Sequence, residues 1–301
     1  SMYCVRSRLL RVKCFGILSQ TRPNQRPTDL LAANFKRSRS NMVQTDIEPP
    51  SEAQVRLDLA AAFRFVVHER MNEGIANHFS YQIESKAEGH SRNAMIVNPF
   101  GTHFANVTAS KLAKIDIDDE TLYRFDPTSP PPPVDPTAIC IHGAIHKLLG
   151  RRARCILHLH PHYATALSSL KDPKLLPIDQ NTARFFNRLS YDDGFDGMGL
   201  GDEAERLATR IGENSAIILG NHGVLVIGES IGGALDEMYY LELAARNYMT
   251  ALMSGKELSI LSDECAEKTA QQWDAQNQVY APQFIAQIRE LLHKKEPEYK
   301  D

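Results

Sequence analysis

Residues 216–227 read AIILGNHGVLVI, two apolar runs that meet at a short polar turn. Ala216–Leu219 and Val224–Ile227 predict a hairpin-like pair of buried strands. The turn between them, Gly220-Asn221-His222-Gly223, holds two glycines that allow unusual backbone angles and close approach. Taken alone, His222 would be a polar residue on a surface turn. A turn at the end of buried strands is also where a metal ligand can reach a site built on neighbouring strands, so His222 is a candidate ligand.

The run Cys155–His160 predicts another strand, and this one carries two histidines. Because side chains alternate along a strand, His158 and His160 point to one face and Leu159 to the other. Two neutral imidazoles on one face form half of a metal site, and Zn²⁺, Fe²⁺ and Mn²⁺ all accept such ligands. The alternative is a pair of buried histidines satisfied by hydrogen bonds. With His222 as a third ligand, an open coordination position would make the site catalytic rather than structural.

A second pair of histidines, His142 and His146, lies four residues apart on a predicted helix, so both share one face. The pair could orient the metal ligands or act as a general acid or base beside the metal. The same face could equally pack with both rings bonded to backbone.

Strand and helix patterns alternate along the rest of the chain without internal repeats, which favours a single α/β domain. Two more short strands, Phe79–Ile83 and Ala94–Val97, are predicted on either side of a polar loop, and residues 107–120 predict a short helix and a strand. Residues 127–136 predict an extended proline-rich loop. The predicted helices run from Ser51 to Gly74, from Asp135 or Thr137 to Leu149, from Tyr163 to Leu170, from about Ser230 to Ser254, and around Pro282–His293.

The composition of the 301 residues excludes several classes of protein. A hydrophobic content of 43% and a charged content of 24% are typical of globular proteins and exclude a disordered or fibrous chain. No stretch approaches the ~20 apolar residues of a transmembrane helix, so we expect no membrane partner. Five scattered cysteines without a Cys-x-x-Cys pair argue against a disulfide scaffold or a cysteine zinc cluster, and they suit a reducing compartment.

The charge is distributed unevenly along the chain. Residues 1–40 hold nine Lys or Arg and one acid, which leaves 25 basic and 36 acidic residues beyond them. An acidic body repels phosphate backbones, so nucleic acid is not an expected partner. The basic arm is typical of either a mitochondrial-type transit segment or a disordered tail. We therefore expect an arm over residues 1–48 and one domain with a C-terminal helical extension over residues 49–301. The expected location is the cytoplasm or, if the arm is a transit peptide, mitochondria.

Together the histidine motifs resemble those of the class II aldolase/adducin family, in its adducin-like branch. His158-Leu159-His160 is similar to the paired-histidine strand of that family, and Asn221-His222-Gly223 to its ligand turn. Matching stretches in the same order, between about residues 54 and 256, are Asn98-Pro99-Phe100-Gly101-Thr102, Ile141-His142-Gly143-Ala144-Ile145-His146 and Leu175-Leu176-Pro177-Ile178. The resemblance implies a three-layer α/β/α domain with a largely antiparallel central sheet, usually a homotetramer. It also implies that His158, His160 and His222 bind a divalent metal, generally Zn²⁺ with Fe²⁺ or Mn²⁺ as alternatives.

The chain departs from the sugar-phosphate aldolases of this family at two places. Their acid/base glutamate lies four residues before the position of His142, where this chain has Ala138. Their Gly-Asn-x-Ser phosphate loop reads Asn77-His78-Phe79-Ser80 here. We therefore do not expect a sugar-phosphate substrate, and we expect His142 or His78 to move the proton instead of the glutamate. The residues that the resemblance assigns to substrate binding are Ser80, Asn98, Gly101, Thr102 and His146.

Three functions remain open at this level. The first is a metal-dependent lyase that cleaves or decarboxylates a small oxo or hydroxy acid. The second is a non-haem Fe²⁺ oxygenase on the same three histidines, since sequence does not choose between zinc and iron. The third is an adducin-like binding module whose partners would be actin and spectrin.

Overall fold

The computed structural model describes residues 49–87, 90–119, 133–195 and 203–301, and the element bounds below refer to these ranges. The basic arm predicted over residues 1–48 and most of the proline-rich loop lie outside them. The strands are β1 (His78–Ala87), β2 (His90–Val97), β3 (Ala113–Asp116), β4 (Cys155–Leu159), β5 (Leu189–Asp192), β6 (Ala216–Leu219) and β7 (Gly223–Gly228). The helices are α1 (Glu52–His68), α2 (Pro136–Leu149), α3 (His162–Ser168), α4 (Gln180–Arg184), α5 (Glu203–Ile211), α6 (Ile231–Met253) and α7 (Asp263–Lys295).

The seven strands form one sheet in the order β3-β2-β1-β4-β7-β6-β5. Every neighbouring pair is antiparallel except β5 and β6, which are parallel. The predicted α/β fold with a largely antiparallel sheet is therefore confirmed. None of the described helices is both long enough and apolar enough to cross a bilayer.

Helices cover both faces of the sheet, which gives three layers. On one face α1, α3 and α6 pack over alternate strand residues such as Phe79, Leu157 and Val226. On the other face α2 and α5 pack over the intervening residues, among them Ile156 and Leu225. This alternation decides where the histidines point, because residues of even number on β1 and β4 face α2.

The hairpin of β1 and β2 is longer than the sequence predicted. The polar residues 84–93 were predicted to form a loop, and this prediction was wrong. The two strands stay paired from Ser80↔Val97 out to Ala87↔His90. Strand pairing is made by backbone hydrogen bonds, so it can continue past the end of the apolar pattern from which a strand is recognised.

Two helices also differ in extent from their predictions. Helix α1 ends at His68 rather than at Gly74. Helix α7 begins at Asp263, far before the predicted start near Pro282, and this proline lies inside it. The buried residues of its first half, Ala266 and Ala270, are small, so they give little hydrophobic signal in the sequence.

The other predicted helices and strands agree with the structure to within one or two residues, the usual scatter of element bounds. Three short elements, α4, β5 and α5, were not predicted. Asp135 caps α2 by accepting a hydrogen bond from the Thr137 amide, and Gly150 ends this helix at φ +54°. Ser230 caps α6 in the same way. Between β2 and β3 the structure has a short 3-10 helix, Phe104–Asn106, instead of an α-helix.

Candidate metal centre

Three histidines meet at one end of the central strands. Strand β4 pairs with β7 so that Leu159 lies opposite Val224, which brings the end of β4 beside the turn that precedes β7. His158 and His160 at the end of β4 therefore meet His222 of the turn. Their ring centroids are 4.7 to 4.9 Å apart, and one nitrogen of each lies within 4.8 Å of the others. Among the described residues this is the one group of three or more potential ligands with such spacing.

The turn can come this close because of its glycine. A Cβ atom on Gly223 would lie 2.6 Å from the carbonyl oxygen of Leu159 and 2.7 Å from the ring of His160. Asn221 adopts φ +56°, a left-handed conformation that asparagine tolerates better than most residues. The local sequence of the turn thus sets the position of the third histidine.

Hydrogen bonds fix the orientation of two of the rings. His158 Nδ1 donates to the carbonyl oxygen of Val224 at 3.0 Å, and His160 Nδ1 donates to Oε2 of Glu73 at 2.5 Å. The Nε2 atoms of the two rings face each other at 3.0 Å. A single cation can contact both, since a Zn–N bond is about 2.0–2.1 Å long.

The protonation states of His158 and His222 suit metal binding. Burial holds the pKa of His158 well below its usual value and lowers the pKa of His222 to about 4, and the neighbouring imidazoles add to both shifts. Nδ1 of His222 is buried and has no hydrogen-bond partner among the described residues. Three convergent imidazoles, two of them oriented by second partners, are a donor set that divalent transition metals accept, so the residues present fit such an ion.

His78 lies beside this centre and continues it into the protein. It stands opposite His158 in the β1–β4 register, with ring centroids 5.1 Å apart. Its Nδ1 is 2.8 Å from His142 Nε2, and its Nε2 is 3.2 Å from the hydroxyl of Thr137. That hydroxyl donates to Oδ1 of Asp135 at 2.7 Å. Burial lowers the pKa of His78 to about 4, against the opposing effect of Asp135.

The predicted pair His142 and His146 does share one face of α2, and both rings are fully buried. Ser80 Oγ lies between them, 2.7 Å from His142 Nδ1 and 2.8 Å from His146 Nε2. The other nitrogen of His146 donates to the carbonyl oxygen of Ala153 at 2.5 Å. Burial lowers the pKa of His146 to about 4 and holds that of His142 well below its usual value, so both rings are neutral.

The other residues assigned to substrate binding lie in the segment that follows β2. Asn98 is buried, and its side chain accepts from the Phe79 amide and donates to the carbonyl of Asn77, so it secures the start of β1. Gly101 adopts φ +70° with open space around it, and Thr102 is half-buried. Ala138 is fully buried in an apolar cluster with neighbours such as Met95.

Two residues of the centre were missed by the sequence reasoning. Glu73 lies in the connection between α1 and β1, and only the pairing of β1 with β4 brings it to His160. Phe195 is half exposed, and its ring centroid lies 5.8 Å from that of His222. Neither residue belongs to a motif, so no sequence signal marked them.

Comparison with known proteins assigns the chain to a family. Residues 57–249 match the family described as Class II Aldolase and Adducin N-terminal domain. A Caulobacter vibrioides protein assigned by name to aldolase class 2 is 32% identical over 218 residues, which are 72% of this chain and 80% of that protein. Human beta-adducin is 32% identical over 185 residues, but these cover only 24% of its length.

Solved structures support the same fold. An aldolase II superfamily protein from Pseudomonas syringae is 31% identical with a TM-score of 0.72, and the match covers 85% of this chain and 98% of the other. L-fuculose 1-phosphate aldolase from Glaciozyma antarctica is 23% identical with a TM-score of 0.67, over 84% and 97% of the two chains. At that identity the second likeness concerns the fold alone.

Proposed function

Because the chain belongs to the class II aldolase and adducin family, we propose that it is a divalent-metal-dependent lyase that cleaves a carbon–carbon bond of a small oxo or hydroxy acid. The observation that carries this proposal is the convergence of three imidazoles, His158, His160 and His222, with their ligand atoms within 4.8 Å of one another. Nε2 of His158 and Nε2 of His160 lie 3.0 Å apart, so one cation can contact both.

The proposed division of roles follows from the contacts of each ring. A divalent cation on the three histidines would supply the positive charge that holds substrate oxygens and stabilises the negative charge that develops on cleavage. His78 is the proposed proton-moving group, because its Nε2 receives no proton from the neighbouring Thr137 hydroxyl, which donates to Asp135. His142 has both nitrogens engaged inside the protein, so we propose that it holds His78 in place.

The sugar-phosphate substrates of related aldolases do not suit this site. Ala138 takes the position of their glutamate and is packed among apolar side chains, so no acid replaces it there. His78, in the segment that aligns with their phosphate loop, is engaged with His142 and Thr137. A small acid, which the metal charge alone can hold, is therefore the proposed substrate class.

The first test is elemental metal analysis of the full chain purified without added metal. We expect about one Zn²⁺ per chain in the wild type, with Fe²⁺ or Mn²⁺ as alternatives, and loss of the metal in His160→Ala. His162→Ala is the matched control, because this neighbouring ring is exposed and packs on Tyr163. A wild-type chain without metal, even after reconstitution, contradicts the proposal.

The second test separates cleavage from oxidation. The metal-loaded chain is incubated with a panel of small oxo and hydroxy acids, and carbonyl products and carbon dioxide are measured with and without oxygen. Turnover without oxygen, reduced in His78→Gln while the metal is retained, is the expected result. Turnover only with iron and oxygen would establish an oxygenase instead.

A second candidate function is a binding module, which the match to beta-adducin and the alanine at position 138 favour. Under this proposal the metal would be structural. Co-sedimentation with filamentous actin tests it, and saturable binding by a chain that turns over no acid would support it over the lyase.

A further inference from the structure

The buried side chains behind His78 form a continuous line of hydrogen bonds into the protein. It runs from His78 through His142 and Ser80 to His146 and ends on the carbonyl oxygen of Ala153. Every contact in the line is between 2.5 and 2.8 Å, and all four side chains are at most 4% exposed. Because these side chains are buried, water does not replace any hydrogen-bond partner along this line.

The carbonyl at the end of the line fixes the direction of every bond. A carbonyl oxygen only accepts, so His146 must donate through Nδ1 and, being neutral, accepts at Nε2. The single proton of Ser80 therefore goes to His146, and the Ser80 oxygen accepts from Nδ1 of His142. Nε2 of His142 is then an acceptor, and Nδ1 of His78 must donate to it.

At the opposite end of the line, His78 has a second and longer contact through Nε2. The Thr137 hydroxyl donates its one proton to the carboxylate of Asp135 at 2.7 Å, so its oxygen could only accept from Nε2 of His78, at 3.2 Å. This contact is longer than the 2.8 Å contact between Nδ1 of His78 and Nε2 of His142, so the line that ends on Ala153 decides the tautomer. Nε2 of His78 is therefore left with a lone pair and without a donor among the described residues.

We propose that the Ala153 carbonyl, acting through His146, Ser80 and His142, holds His78 in the tautomer that carries its proton on Nδ1. Ser80, His142 and His146 are thereby positioning residues, which determine which nitrogen of His78 is basic. The role of that nitrogen in proton transfer rests on the proposed function. The tautomer assignments do not depend on the proposed function.

The experiment is a two-bond ¹H–¹⁵N correlation spectrum of the imidazoles in the ¹⁵N-labelled full chain, first free of metal and then with Zn²⁺. This spectrum distinguishes Nδ1–H from Nε2–H rings directly. Single His→Gln variants assign the signals of the eleven histidines. We expect His78, His142 and His146 all to carry the proton on Nδ1. A proton on Nε2 in any of the three overturns the proposal, whether or not the chain binds metal or cleaves an acid.

Ser80→Ala tests the direction of the line. Without the hydroxyl, Nδ1 of His142 loses its acceptor, so we expect the His142 and His78 signals to show a mixture of tautomers while His146 stays on Nδ1. Ser168→Ala is the matched control, since Ser168 is another buried serine whose hydroxyl donates only to its own helix. Unchanged His142 and His78 tautomers in Ser80→Ala, or an equal change in Ser168→Ala, would refute the relay.

Discussion

Removal of the Glu73 carboxylate should weaken metal binding although Glu73 is not a ligand. Its Oε2 accepts the Nδ1 proton of His160 at 2.5 Å, which fixes the ring and makes Nε2 a stronger donor to a metal. Substitution of such a hydrogen-bond partner lowers metal affinity by about 10–100-fold. Each tenfold corresponds to about 1.4 kcal/mol of binding free energy.

Two substitutions separate the parts of this effect. Glu73→Gln keeps an oxygen acceptor for His160 and removes only the charge. The Glu73 side chain is 60% exposed, so solvent screens that charge and we expect a loss of about tenfold. Glu73→Ala removes the acceptor as well, and we expect a loss closer to about 100-fold.

The assay is the Zn²⁺ dissociation constant from competition with a chromophoric chelator at fixed pH and salt. Glu69→Gln is the control, because this exposed glutamate lies just after the end of α1 and has no contact with the three histidines. The reasoning fails if both Glu73 variants bind Zn²⁺ as tightly as the wild type. It fails equally if the Glu69 variant loses as much affinity.

Three further predictions concern the ligand turn, the core and the response to acid. Gly223→Ala should lose most of the bound metal, because the Cβ atom of the alanine would lie 2.6 Å from the carbonyl oxygen of Leu159. Metal analysis of the variant checks this prediction, and full retention of the metal would contradict it. Phe63→Ala should lower the free energy of unfolding by about 3–5 kcal/mol, since the Phe63 ring stacks on Phe79 and meets Phe104 edge-on. Denaturant titration measures the loss, and a change below about 1 kcal/mol would be inconsistent with this packing. Burial lowers the pKa of His146 to about 4 in the folded chain, against about 6.5 in the unfolded chain. Between these two pH values the unfolded state binds more protons than the folded state. The free energy of unfolding therefore falls as the pH drops from about 6.5 to about 4. The contribution is about 3 kcal/mol, and His146→Gln should flatten the stability–pH curve in that window; an unchanged slope would count against it.

The sequence was sufficient for those parts of the fold that depend on local patterns. Alternation along β4 placed His158 and His160 on one face, and glycine spacing marked the turn that carries His222. The capping residue Asp135 marked the start of α2, because capping is a contact between near neighbours.

The sequence was insufficient where the deciding contacts are made by backbone or by distant residues. The β1–β2 hairpin continues through polar residues since its ladder does not depend on side chains. The early part of α7 is held by alanines and by ion pairs such as those of Arg188 with Glu267 and Asp274, and neither leaves a hydrophobic period in the sequence. Glu73 reaches His160 only through strand pairing, which a single sequence does not reveal.

The three histidines proposed as metal ligands are brought together by the pairing of β4 with β7, so the centre does not exist in the unfolded chain. An ion that binds the folded state alone shifts the folding equilibrium towards that state, by about 2.7 kcal/mol when its free concentration is one hundred times the dissociation constant. On the proposed function, metal supply and the lifetime of this protein are therefore linked. A cell short of the proposed metal would then hold less of the folded chain.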